Sequence, residues 1–143
     1  MADNNSIRIG KVSSVNYGRG TIRVAYTDKN AVSAELPFLT FNDEYKMPNI
    51  DDMVLVMHLS NGTAVGFVCG TFWSDTKKPP ESGKGLYRKD LGQSQGEAYI
   101  KYSDGVLTLK ADKIILESSS VGTSTINVDT VNAGTVNADV LNG

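Results

Sequence analysis

The last quarter of this chain carries an apolar side chain at every fifth residue: Leu116, Val121, Ile126, Val131, Val136 and Leu141. Asn follows each of the last four, at Asn127, Asn132, Asn137 and Asn142. Thr130-Val131-Asn132-Ala133-Gly134 is echoed by Thr135-Val136-Asn137-Ala138-Asp139. Such a repeat indicates an elongated β architecture rather than a globule. The 30 residues 114–143 hold three acids and no Lys or Arg. One apolar residue in five cannot enclose a core within a single short strand. A monomeric solenoid needs roughly three stacked units, and at about 20 residues per coil this tail supplies one or two. Three tails wound around one axis would share a core and pair their backbone edges between chains. The expectation is an obligate homotrimer with an intertwined β-helical stalk, the six periodic residues facing its axis. A disordered Ser/Thr/Asn-rich tail is the alternative, and the strict spacing argues against it.

Charge and composition exclude several function classes. The 16 acids and 14 basic residues nearly cancel, so the net charge of −2 gives no strong pull toward nucleic acid or anionic lipid. Cys69 and His58 are the only residues of their kinds. No disulfide can form within one chain, a Cys/His zinc cage lacks ligands, and a His-based triad has only His58 to use. No apolar run is long enough to span a membrane. The polar start, Met1 to Ser6, is unlike a signal peptide. β-Branched residues are abundant and stretches with a 3.6 period are missing, which points to strands with few or no helices.

The first half alternates in short runs. Ile7 and Ile9 alternate, and Val12 and Val15 continue the apolar side out of phase, with Gly10 as a place for a bulge. Tyr17-Gly18-Arg19-Gly20 is a turn. Ile22, Val24 and Tyr26 alternate, Asp28-Lys29-Asn30 turns the chain, and Val32, Ala34, Leu36 and Phe38 alternate again. Residues 53–59 form an apolar run broken only by His58, the pattern of a strand covered on both faces. Asn61-Gly62 matches a two-residue type I′ hairpin turn, and the returning strand runs over 64–72. Five strands with one longer connection fit a partly open Greek-key barrel, the OB-fold; an SH3-like barrel is the structural runner-up.

Residues 74–85 read as a linker, with two Pro, two Gly and five charges. Strands follow over 97–102 and 106–110 around Ser103-Asp104-Gly105, and Ile114-Ile115-Leu116 reads as another short strand.

No convergent catalytic set can be assembled. His58 reads as a hydrogen-bonded core-edge residue, and Cys69 as a small buried hydrophobe. Tyr17-Gly18-Arg19-Gly20 lacks a following P-loop Lys. Asp43-Glu44 and Asp51-Asp52 read as solvated loop acids rather than a glycosidase pair. Arg8, Lys11, Arg19 and Arg23, with Tyr17 and Tyr26 nearby, are the only basic–aromatic group suited to single-stranded nucleic acid. Lys77-Lys78 is a solvated charge pair, and Trp73 is placed to pack a barrel–stalk junction or a subunit interface.

Several segments, taken in order, resemble a known family. Pro48-Asn49-Ile50-Asp51-Asp52-Met53-Val54-Leu55-Val56 is similar to the P-x-x-G-[DE]-x-V-L-V segment of baseplate assembly protein V, the central spike of contractile-tailed phages and tail-like bacteriocins. Asn61-Gly62 and Gly66-Phe67-Val68-Cys69-Gly70 resemble its hairpin, Ile9 to Val15 its first strand, and Asp104 to Asp112 the start of its stalk. The resemblance covers most of residues 7–117. It implies an N-terminal OB-fold, a trimeric β-helix and a role in closing the tail tube and leading puncture of the target cell envelope. Two departures stand out. A Gly is expected at Ile50-Asp51 and is not there, and the iron-binding H-x-H apex of many members has no counterpart, since His58 is the sole His. A blunt spike or a separate spike-tip protein would follow.

The sequence therefore predicts an all-β chain: an OB-fold barrel over 1–73, a linker and start of the stalk over 74–96, and a trimeric β-helical spike over 97–143. It predicts no enzyme, no cofactor and no metal. The expected partners are two further copies, baseplate hub or tail-tube proteins, a tip protein and, transiently, the target envelope. The expected location is a virion or tail-like particle, after synthesis in the bacterial cytoplasm. The competing function is an OB-fold nucleic-acid-binding or adaptor module with a flexible tail.

Overall fold

A computed structural model describes residues 6–59, 64–119 and 125–138. These residues form strands and no helix, and every pairing between named strands is antiparallel. By contacts the chain divides into Met1–Asp112 and Lys113–Gly143.

The first sheet contains β1 (Ile7–Asn16), β2 (Thr21–Tyr26), β3 (Ala31–Val32), β4 (Leu36–Pro37), β5 (Met53–His58) and β6 (Gly66–Thr71). Its order is β3-β2-β1-β5-β6, with β4 also on β2. A bridge between Phe38 and Val68, with Leu39 N donating to Val68 O at 2.9 Å, joins the β4 end to β6 and closes the sheet on itself. Val12, Ile22, Val24, Tyr26, Leu36, Val54, Val56 and Val68 fill the interior.

The out-of-phase valines of β1 are explained by a bulge, though not at Gly10. The register slips between Val12 and Ser14. The extra residue, Ser13, lets both Val12 and Val15 turn inward, opposite Val24 and Ile22. Gly10 serves a different purpose: a Cβ there would meet Ala25 O at 2.8 Å and Tyr26 Cδ1 at 2.9 Å. Gly10 is thus a site of close strand approach.

The expected single strand over 32–38 is two short pieces. Between them Ser33 turns inward, and its Oγ accepts from Val24 N at 2.9 Å and donates to Ala34 O at 2.7 Å. A side chain takes over part of the ladder there, so the backbone leaves the strand. The Asn61-Gly62 turn lies outside the described residues. Asp104-Gly105 adopts the same kind of turn, with φ of 50° and 80°, both positive as a type I′ hairpin requires.

Strand β5 departs from the expectation of cover on both faces. Val54, Val56 and His58 are buried, but Leu55 and Met57 lie exposed on the outer face. Ile7 stands opposite Met57 and Ile9 opposite Leu55 on β1, both exposed as well.

The second sheet has the order β7-β8-β9, from β7 (Tyr87–Asp90), β8 (Tyr99–Ser103) and β9 (Val106–Lys110). Strand β7 falls in the stretch read as linker and stalk start. Ile114-Ile115-Leu116, expected as a strand, lies in none, and all three side chains are exposed. The triplet finds no partner edge among the described residues to hold it extended.

Candidate functional site: apolar surface the chain leaves uncovered

The second sheet has two chemically different faces. On one, Arg88 grips Asp90 through two bonds of 3.0 Å and reaches Glu81 at 2.8 Å, while Lys101 binds the other Glu81 oxygen at 2.9 Å. The Arg88 guanidinium also stacks 4.1 Å from the Tyr99 ring centre. These bonds hold the Asp90 carboxyl below the usual carboxylate range, Arg88 acting first and Gly96 N adding a further bond. Arg88 and then Lys101 do the same for Glu81. The opposite face presents Tyr87, Ile100, Tyr102, Leu107 and Leu109, paired across the strands, with Lys89 opposite Ile100 as its one charge. Of its apolar and aromatic residues, all but Ile100 are largely exposed.

The charged segment read as a linker is bonded back onto the loop before β5. Lys77 pairs with Asp52 at 3.3 Å, Lys89 pairs with Glu44, Lys46 Nζ donates to Asp90 O at 2.6 Å, and Asn49 Nδ2 donates to Gln93 O at 3.1 Å. This strap and loop border an open cleft of about 1200 Å³. Six of its charged residues, Lys46, Asp52, Lys77, Glu81, Arg88 and Asp90, are engaged within the chain, and Lys11, Asp51 and Lys78 also line it. Sequence reading missed this network because its members lie far apart in the chain and meet only through folding.

The chemistry-bearing residues noted from sequence are dispersed. His58 is 3% exposed, and its Nε2 lies 2.7 Å from Tyr26 Oη. With Nδ1 donating toward Val65 O at 3.4 Å, Nε2 accepts the Tyr26 proton. Burial pushes Tyr26 up to about 12, with Arg8 above its ring pulling the other way. Tyr26 is therefore a core residue and no stacking platform. Arg19 pairs with Glu35 at 3.3 Å, and Arg23 donates to Ser33 O at 3.4 Å. Bonds from Asn16, then Thr21, with Arg19 and Arg23 nearby, lower Glu35. The basic group on β1 and β2 is thus largely satisfied by its own chain. Glu44 and Asp52 are ion-paired, Cys69 is half-buried and Trp73 exposed. Among the described residues no cluster of three or more His, Cys, Asp or Glu could hold a metal ion.

Asp51 supplies the turn chemistry that sequence left open. Its φ is 70°, the left-handed conformation that Gly adopts most readily. Asp51 N donates to Val12 O and Val12 N to Asp52 O, both at 2.9 Å, so this turn docks on β1 beside the bulge.

Of the six periodic tail residues, Val121 and Leu141 lie outside the described set. Leu116, Ile126, Val131 and Val136 are 76%, 71%, 67% and 61% exposed. No described residue from 111 onward belongs to a strand. The candidate site is therefore a surface: periodic apolar residues in the second unit, and the apolar sheet face in the first.

Compared with known proteins, the chain matches no family model, and none of the curated proteins matches it.

Proposed function

We propose that this chain is a structural protein, the homotrimeric central spike of a contractile phage tail or tail-like injection particle. In this reading an OB-fold barrel meets the baseplate hub or tail tube, and three tails wind into a β-helix that leads puncture of the target envelope. The stalk ends in a blunt tip or takes a separate tip protein.

The observation that carries this reading is the exposure of Ile126, Val131 and Val136 at five-residue spacing. Apolar residues repeated so regularly and left bare by the described residues need cover, and identical tails supply it with matching period. Two features add support. Asp51, in the turn where the resembling family carries a Gly, adopts the left-handed conformation that Gly takes most readily. The first sheet closes on itself through the parallel Phe38–Val68 bridge, and its six short strands reduce to five where β3 and β4 are the two pieces of one expected strand, which supports an OB-fold reading. Mechanically, an intertwined stalk couples each strand to two others, so no chain can peel away alone.

Light scattering on a sizing column, with mild proteolysis alongside, tests the reading. A species of about 46 kDa, three times the 15.4 kDa chain, with its tail intact is expected. A 15.4 kDa species that loses its last 30 residues refutes it and brings the adaptor or nucleic-acid reading forward.

A further inference from the structure

We infer that the outer face of β1 and β5, built on Ile7, Ile9, Leu55 and Met57, packs against a second copy of this chain. The inference rests on the trimeric reading above and adds to it a contact outside the tail. The four side chains are 60%, 54%, 38% and 43% exposed. They form two directly opposed cross-strand pairs, Ile7 with Met57 and Ile9 with Leu55, on the neighbouring strands β1 and β5 of the first sheet. Opposed residues on one face lie about 5 Å apart, so the four make one continuous patch. Phe67, opposite Met57 on β6, extends it.

The sequence of β5 is that of a strand covered twice. Its run of apolar residues gives Val54 and Val56 to the interior and leaves Leu55 and Met57 outside. A strand with one wet face carries polar residues there. Among the described residues nothing supplies the second cover for which the strand is built.

Area decides what supplies it. Four side chains at these exposures present about 400 Å², roughly half of what one partner contributes to a standard stable interface. A patch of that size cannot hold a freely diffusing protein unaided. It suffices when the partner is already tethered nearby, because the effective concentration then reaches millimolar values. In the trimeric reading the tails tether two further copies. A three-fold ring joins unlike surfaces, so the patch meets a different part of the neighbour rather than its own counterpart.

The test uses the full chain with photoreactive p-benzoylphenylalanine placed at position 9, separately at position 57, and at position 28 in the exposed β2–β3 turn as control. Mass in solution is measured before illumination. The expected result is a species of about 46 kDa that yields covalent dimer and trimer bands from positions 9 and 57 but not from 28. The same mass with no bands from 9 or 57 overturns the barrel contact and leaves the spike reading standing. A 15.4 kDa mass overturns both.

Discussion

Replacing Gly10 by Ala adds one methyl group where β1 runs closely against β2 in the first sheet. The new Cβ would sit 2.8 Å from Ala25 O and 2.9 Å from Tyr26 Cδ1, and would overlap Val24 Cγ1. Two of these neighbours resist adjustment. Ala25 O belongs to the backbone of β2, which the β1 ladder holds in register. Tyr26 is fixed at its far end by the 2.7 Å bond to His58. Relief requires β1 and β2 to separate, and that breaks ladder bonds as well as packing. Overpacking of a rigid core costs roughly 1–3 kcal/mol, and this site belongs at or above the upper end. About 3 kcal/mol lowers the melting temperature of a domain this size by more than about 10 °C. Gly18→Ala is the matched control, since a Cβ there finds only Asn16 Oδ1 at 3.9 Å. It should fall within about 0.5 kcal/mol of the parent. Thermal and urea unfolding of the three full-length proteins at one concentration, followed by near-ultraviolet circular dichroism, measures both. A Gly10→Ala protein within 1 kcal/mol of the parent would refute close strand approach as the reason for glycine at this position.

Val131→Asp combined with Val136→Asp places two charges where the proposed axis is dry, and native mass should fall from about 46 to 15.4 kDa; an unchanged trimer of equal heat resistance defeats that account of the tail. Asp51→Gly relieves a left-handed conformation at φ 70° and should stabilise the first unit by up to about 1 kcal/mol, whereas Asp51→Val should destabilise it, both read by urea midpoints. The lowered carboxyls of Asp90 and Glu81 contribute stability that is complete above their ordinary values of 3.8 and 4.5 and is lost as pH falls below them. Arg88→Gln should flatten that acid dependence of the β7–β9 sheet, seen by hydrogen exchange of its amides; an unaltered dependence removes Arg88 as the cause. Spectrophotometric titration should find one tyrosine ionising near 12, absent in Tyr26→Phe.

Period and turn residues made much of this fold legible. Ile22, Val24 and Tyr26 alternate in a strand whose inward face they form, and the Asp104-Gly105 pair announces its hairpin. The errors have physical causes. Gly10 and the phase break of Val12 and Val15 lie close together, so the bulge was assigned to the glycine rather than to Ser13, three residues on. The strand over 32–38 splits because the Ser33 hydroxyl substitutes for a ladder partner, which a propensity for strand cannot register. Strand β7 was hidden because Arg88, Lys89 and Asp90 look like solvated linker charges. They become strand residues only when β8 offers an edge and Glu81 and Glu44 offer counter-charges. Of the candidate surface, the tail period was visible in sequence. The bare face of β5 was not, because an apolar run says that two faces want cover and not which molecule provides it.

The strap over 77–93 also bears on how such a protein could be recombined. Lys77 with Asp52 and Lys89 with Glu44 are matched charges drawn from opposite sides of any crossover made within residues 53–76. A hybrid joined there would inherit one half of each pair from a parent that never selected the other half. A junction after Asp112, where contacts divide the chain, keeps both pairs in one inheritance. The exchanged segment is then Lys113–Gly143 alone, and both ion pairs pass intact from one parent.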